Sequence, residues 1–131
     1  MTPGAIAAVI GVIGYRVFRS GGSVAEATAL LPKGARVIAT AGSDAKLDLA
    51  KELGADYAIN YRTGNFADEV MKLTGKRGVD IVFEHPGEST FPVSVFITKR
   101  GGMIVICAGT TGFNLTVDAR YLWMHQKRVQ G

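Results

Sequence analysis

Cysteine is nearly absent from this 131-residue chain: Cys107 stands alone. A disulfide framework within the chain and the multi-cysteine zinc patterns are thereby excluded. No partner set of His and Asn accompanies Cys107, which reads as a small core residue at the end of an apolar run. Long hydrophobic runs are missing too. The N-terminal AIAAVIGVIG is shorter than the roughly 20 apolar residues a bilayer span takes. It also lacks a basic leader and a clean cleavage site. A soluble, cytoplasmic protein is the expectation, with a short membrane anchor over residues 4–13 as a minor alternative. Aromatic residues make up only 8% of the chain, and they do not interleave with basic ones. The net charge of +4 is too small to point to nucleic acid, although it suits an anionic ligand. Arg120, Lys127 and Arg128 read as solvated surface, and no nearby groups complete a metal site with His125. Trp123 and Met124 read as packing.

Glycine, by contrast, is plentiful at 17 residues, scattered singly and in pairs as turn punctuation. Between these turns a rhythm runs from residue 34 onward. GARVIATAG predicts a strand from about Ala35 to Thr40. In SDAKLDLAKELGA, Leu47, Leu49, Ala50 and Leu53 share one helical face, with Ser43 or Asp44 as cap and Gly54 as stop. YAIN, Tyr57 to Asn60, is a second strand. NFADEVMKLTGKRG is a second helix, with Asn65 as its cap, Phe66, Val70 and Leu73 on one face, and Gly75 as its end. VDIVFE is a third strand, STFPVSVFITKRGG a helix with Pro92 near its start, and MIVICAG a fourth strand. Strands apolar on both faces belong in a parallel sheet covered by helices on both sides. The expected fold is therefore α/β, a doubly wound, mostly parallel Rossmann-like sheet. Ligands in such sheets bind beyond the carboxyl ends of the strands. Residues 41–43, 84–87 and 108–111 all fall there.

The first βα unit is irregular. Tyr15 to Phe18 is the best candidate for its strand, Ser20-Gly21-Gly22-Ser23 for the turn, and Val24 to Leu31 for the helix, broken at Pro32. G-x-G-x-x-G is absent. Gly21 and Gly22 before a helix are candidates to present N–H groups to a phosphate, or are only a turn.

The string DIVFEHPGESTFPVSVFITKRGGMIVICAGTTGFNLTVDARYLWMHQKRVQG closely resembles the nucleotide-binding domain of crotonyl-CoA carboxylase/reductases, within the medium-chain dehydrogenase/reductase superfamily. GARVIATAGSDAKLDLAKELGADYAINYRTGNFADEV is similar to the same superfamily more broadly, especially its quinone and enoyl reductases. FEHPG, CAGTTGFN and DARYLWM are the specific strings. The resemblance implies an NADPH-dependent reductase of an α,β-unsaturated acyl-CoA, in which hydride goes to the β-carbon and the enolate takes CO2 or a proton. It also implies that residues 1–131 are a single NAD(P)-binding Rossmann-like domain, divergent over 1–33. The family's β-rich catalytic domain is missing, so the domain is inactive by itself. In the glycine turn, Arg19 and Val24 stand where relatives carry glycine.

Three features can be read physically beside the resemblance. Dinucleotide domains specific for NAD place an acid at the tip of the second strand to hold the ribose 2′-OH. Here that tip reads Ala41-Gly42-Ser43. Ser43 and Lys46, with Tyr61 and Arg62 after the next strand, are candidates to hold a 2′-phosphate, so NADP(H) is the expected cofactor. Asp44 is a counter-argument unless it turns away. The alternative is a helix cap at Ser43 with exposed charges. At the EHPG rim, His85 is a candidate to hydrogen-bond a carboxylate, an enolate oxygen or an ordered water, with Glu84 orienting it; otherwise His85 caps the strand end and Pro86-Gly87 makes the turn. The small Ala108, Gly109 and Thr110 let a nicotinamide approach the backbone, as the resemblance implies.

In the tail, residues 113–117 are a candidate edge strand; the resemblance implies a homodimer through it, since related enzymes pair such strands between subunits, and left open the edge is an aggregation risk. The acyl-CoA substrate is the other expected partner. Two further readings stay open: an inactive nucleotide-binding or oligomerising fragment, and a general zinc-free quinone or alcohol dehydrogenase-like domain.

Overall fold

The computed structural model describes residues 6–10, 36–52, 54–106 and 108–131. Its strands are β1 (Ile6–Ile10), β2 (Arg36–Ala41), β3 (Tyr57–Asn60), β4 (Val79–Glu84), β5 (Thr98–Ile106) and β6 (Arg128–Gln130). They form one six-stranded sheet in the order β3-β2-β1-β4-β5-β6, parallel at every pairing. The helices are α1 (Asp44–Glu52), α2 (Phe66–Leu73), α3 (Phe91–Ile97) and α4 (Ala119–Met124). The sheet order reverses between β1 and β4, the doubly wound arrangement expected from the alternating apolar runs.

The run at residues 6–10 takes the central place that Tyr15 to Phe18 were expected to fill. Ala7 pairs with Val37 on one side and with Ile81 on the other. An all-apolar stretch such as IAAVI suits the middle of a parallel sheet, where no polar face is needed. Tyr15 to Phe18, the turn at Gly21 and Gly22, Arg19, Val24 to Leu31, Leu53 and Cys107 lie outside the described residues.

Two apolar clusters flank the sheet. One gathers Ile38, Ile59, Val70, Val82, Phe91 and Val95 with their neighbours. The other gathers Val37, Ala39, Ala41, Leu47 and Ala50. Each fully buried aliphatic side chain contributes about 1.5–3 kcal/mol.

Local chemistry sets the ends of the elements. Asn65 caps α2, its side chain accepting from the Asp68 N–H. Helix α3 stops at Ile97, earlier than the sequence reading placed it. Thr98 turns its hydroxyl back onto the Ser94 carbonyl at 2.7 Å and enters β5, and the β4–β5 register shifts between Val79 and Ile81. Residues 113–117 are not a strand, which corrects the expected edge. The place beside β5 is taken by β6, which pairs with Met103, Ile104 and Val105. The chain from Gly112 instead runs irregularly to Asp118, which caps α4 through the Arg120 N–H.

Lys127 is not solvated surface. Half-buried, it donates to the Val95 carbonyl at 2.7 Å near the end of α3 and lies 5.1 Å over the Tyr121 ring. Burial lowers its pKa. Trp123 and Met124 do not pack: they are 64% and 54% exposed. His125 is the half-buried one, its ring 5.6 Å from that of Tyr121. Among the described residues no helix is long and apolar enough to cross a membrane.

Candidate functional site

The sheet register brings the predicted residues to one rim. Ala41 pairs with Asn60 at the tips of β2 and β3. Ile10 pairs with Glu84, and Glu84 with Ile106, at the tips of β1, β4 and β5. The reversal point of the sheet therefore opens directly beyond Ile10 and Glu84, and His85 is the next residue.

At the β2–β3 end, Gly42 sits under two side chains. A Cβ on Gly42 would lie 2.9 Å from Arg62 Nε and 2.9 Å from Tyr61 Oη. Tyr61 and Arg62 thus fold over the tip of β2, as expected. Ser43 Oγ accepts the Lys46 N–H at 3.4 Å. That makes Ser43 a helix cap while leaving its hydroxyl hydrogen free to donate to an anion. The cap and the site reading are compatible. Lys46 is exposed on the first turn of α1. Asp44 Oδ1 accepts from Asn60 Nδ2 at 3.2 Å, which keeps its carboxylate at the β2–β3 tip, because Asn60 pairs with Ala41 there. Ser43, Tyr61 and Arg62 at this tip, with Lys46 on the adjoining turn of α1, are donor types that a phosphomonoester accepts, and the Asp44 carboxylate is occupied by Asn60 beside them.

At the β4–β5 end the construction is different. Glu84 is fully buried. Its Oε1 accepts the Gly87 N–H at 3.0 Å and the Thr90 hydroxyl, and its Oε2 accepts the Ser94 hydroxyl. Thr90 is the N-cap residue of α3 but makes no cap bond with its side chain, because the hydroxyl serves Glu84. Glu84 thereby ties the end of β4 to the first turn of α3. The sequence reading missed Thr90 and Ser94 as its partners. The pattern E-x5-T-x3-S carries that signal only once the turn at Pro86-Gly87 is known to fold back.

His85 is 1% exposed. Burial pushes its pKa down to about 4, so its imidazole is neutral at pH 7 and has one donor and one acceptor nitrogen. Its carbonyl accepts the Thr110 N–H at 3.3 Å. Thr111 N–H and hydroxyl both reach the Pro86 carbonyl, at 2.8 and 2.6 Å. Gly87 and Gly112 form an isolated parallel bridge. Gly87 has φ +85°, and a Cβ there would lie 2.7 Å from the Gly112 carbonyl oxygen and 3.0 Å from Gly109 Cα. The EHPG loop and the 108–112 loop, with Ala108, Gly109 and Thr110, are thus joined main chain to main chain.

A groove of about 390 Å³ lined by Lys51, Asp56, Tyr57, Glu69, Lys72 and Leu73 holds none of the predicted site residues. No three His, Cys, Asp or Glu side chains among the described residues converge to hold a metal ion.

A parallel sheet reversing at its centre, with polar and small residues collected on its carboxyl rim, defines a doubly wound nucleotide-binding domain. The chain belongs to the zinc-binding dehydrogenase family, which matches residues 22–131. It is 66% identical over 67 residues to the crotonyl-CoA carboxylase/reductase of Cereibacter sphaeroides, covering 50% of this chain and 16% of that protein. It is 36% identical over 130 residues to the crotonyl-CoA reductase of Streptomyces avermitilis, covering 86% of this chain and 29% of that one. A solved 2-octenoyl-CoA carboxylase reductase, in complex with NADP and 2-octenoyl-CoA, superposes with a TM-score of 0.83 at 29% identity. That likeness covers 100% of this chain and 32% of the other. The chain thus spans under a third of the length of these curated relatives.

Proposed function

We propose that this chain is the NADPH-binding part of an enoyl-CoA reductase of the crotonyl-CoA carboxylase/reductase kind, working in the cytoplasm on an α,β-unsaturated acyl-CoA. The observation that carries the reading is Tyr61 and Arg62 folded over Gly42 at the tip of β2, with the Asp44 carboxylate hydrogen-bonded to Asn60. Ser43, Lys46, Tyr61 and Arg62 bind the adenosine 2′-phosphate. Gly21 and Gly22 serve the pyrophosphate in the sequence reading. Ala108, Gly109 and Thr110 border the nicotinamide, where small side chains let the ring approach the main chain.

When bound, NADPH supplies the hydride that goes to the β-carbon of the acyl thioester. His85, neutral at pH 7 because burial lowers its pKa, binds the developing enolate, a carboxylate or an ordered water as a hydrogen-bond donor, without transferring its proton. Glu84 acts on His85 through the main chain, by fixing the turn that follows it. The acyl-CoA and a second copy of the chain are the partners the reading includes. Residues 113–117 supply no strand for that dimer.

Titration of the chain with NADPH and with NADH, followed by cofactor fluorescence, tests this. Saturable binding of NADPH is expected, weakened about tenfold by Lys46→Glu, with NADH little affected. No binding of either cofactor at about millimolar concentration would overturn the reading and leave an inactive fragment.

A further inference from the structure

Cofactor choice at this rim turns on where the charge of Asp44 goes. Asp44 is the first residue of α1, directly after Ser43 and two residues before Lys46. Left to itself, an aspartate there pairs with Lys46 or Arg62, or stands beside the incoming phosphate. Either outcome removes the positive field that favours NADPH. The structure contains a device against both. Asn60 ends β3 level with Ala41 at the tip of β2, and both ends of its amide are used. Nδ2 donates to Asp44 Oδ1 at 3.2 Å, and Oδ1 accepts the Arg62 N–H at 2.9 Å. The amide orientation is dictated, because the Arg62 N–H can only donate and so must face the oxygen, leaving the nitrogen to the carboxylate.

We propose that Asn60 is a specificity-determining positioning residue: it holds the Asp44 carboxylate with its amide nitrogen and fixes the backbone of Arg62 with its amide oxygen, so that the tip accepts a 2′-phosphate. This rests on the reading of Ser43, Lys46, Tyr61 and Arg62 as the 2′-phosphate site. A neutral side chain that donates and accepts at once is required. Aspartate would repel Asp44 and donate nothing, and alanine would release both neighbours.

The test uses the full chain and two probes, adenosine 2′,5′-bisphosphate and 5′-AMP, with affinities measured by calorimetry. Asn60→Ala is expected to weaken the bisphosphate about fivefold to tenfold while changing 5′-AMP by less than about twofold. Asp44→Asn alone should leave both within about twofold. Added to Asn60→Ala, it should restore the bisphosphate to within about twofold of wild type, a coupling that a merely structural role would not produce. Asn60→Asp, which keeps the shape of the side chain, should weaken the bisphosphate more than Asn60→Ala does. Equal loss for both probes, or no rescue by Asp44→Asn, overturns the proposal. Lys46→Glu separates the two levels. If it weakens the bisphosphate while Asn60→Ala does not, only the role of Asn60 falls. If it has no effect, or if wild type binds both probes alike, the 2′-phosphate reading falls with it.

Discussion

Around Gly42 the rim is made of long polar side chains that meet water, and the contacts between them are single hydrogen bonds. Around Gly87 it is made of main chain and buried groups, locked by a carboxyl with three donors and by two loops in backbone contact. The two regions lie at the same end of the same sheet. A site that recognises a charged, flexible phosphate gains from adjustable cations, because field matters there more than exact placement. A site beside a reacting carbon gains from atoms that do not move, because reorganisation adds to the barrier. Under the proposed function, the two requirements are separated by strand.

The sharpest way to break this contrast is at Glu84. Glu84→Ala leaves the Gly87 N–H and the Thr90 and Ser94 hydroxyls without their buried acceptor, and should cost about 4 kcal/mol in denaturant unfolding. A loss below about 1 kcal/mol would show that the β4–β5 end is no more rigid than the other. Next comes pH. The folded pKa of His85 is about 4 against 6.5 for the free side chain. Below pH 6.5 the unfolded chain takes up a proton that the folded one refuses. The stability due to neutral His85 is therefore complete above 6.5 and is lost as pH falls toward 4, by about 3 kcal/mol over the whole window. Unfolding followed across that range should show the slope, and His85→Gln should flatten it.

Glycine substitutions sharpen the comparison further. Gly87→Ala places a Cβ against backbone at a positive φ and should cost about 2 kcal/mol. Gly42→Ala meets only the far ends of Arg62 and Tyr61, which can swing aside. It should change stability by less than about 1 kcal/mol while weakening NADPH, since the two displaced side chains belong to the proposed 2′-phosphate site. Similar stability losses at both glycines would erase the distinction. The smallest effect is expected at Lys127→Met, which removes the donor to the end of α3 and should cost about 1 kcal/mol.

The two halves also differed in how far the sequence revealed them. The strand YAIN, the cap Asn65 and the strand VDIVFE were legible because period, cap chemistry and turn glycines agreed. The β2–β3 tip was legible too, since Ser43, Lys46, Tyr61 and Arg62 lie close to strand ends that periodicity locates. Two assignments failed for tertiary reasons. FNLTV alternates like an edge strand, but RVQ holds the position beside β5. IAAVI at 6–10 offers no alternation at all, and its strand state shows only in its pairing with two neighbours in the sheet. The Glu84 clamp was hidden because its donors are six and ten residues away, beyond any local rule. Lys127 reaches a carbonyl 32 residues back, which no charge pattern foretells.

The joined loops at Gly87, Gly109 and Gly112 carry a consequence for how such a protein can diversify. At Gly87 a new side chain would meet the backbone of Gly112 and Gly109, so this point of the corner cannot be retuned by substitution. Any variation has to be written on surfaces that face these loops from elsewhere, while the contact at Gly87 is inherited whole or lost.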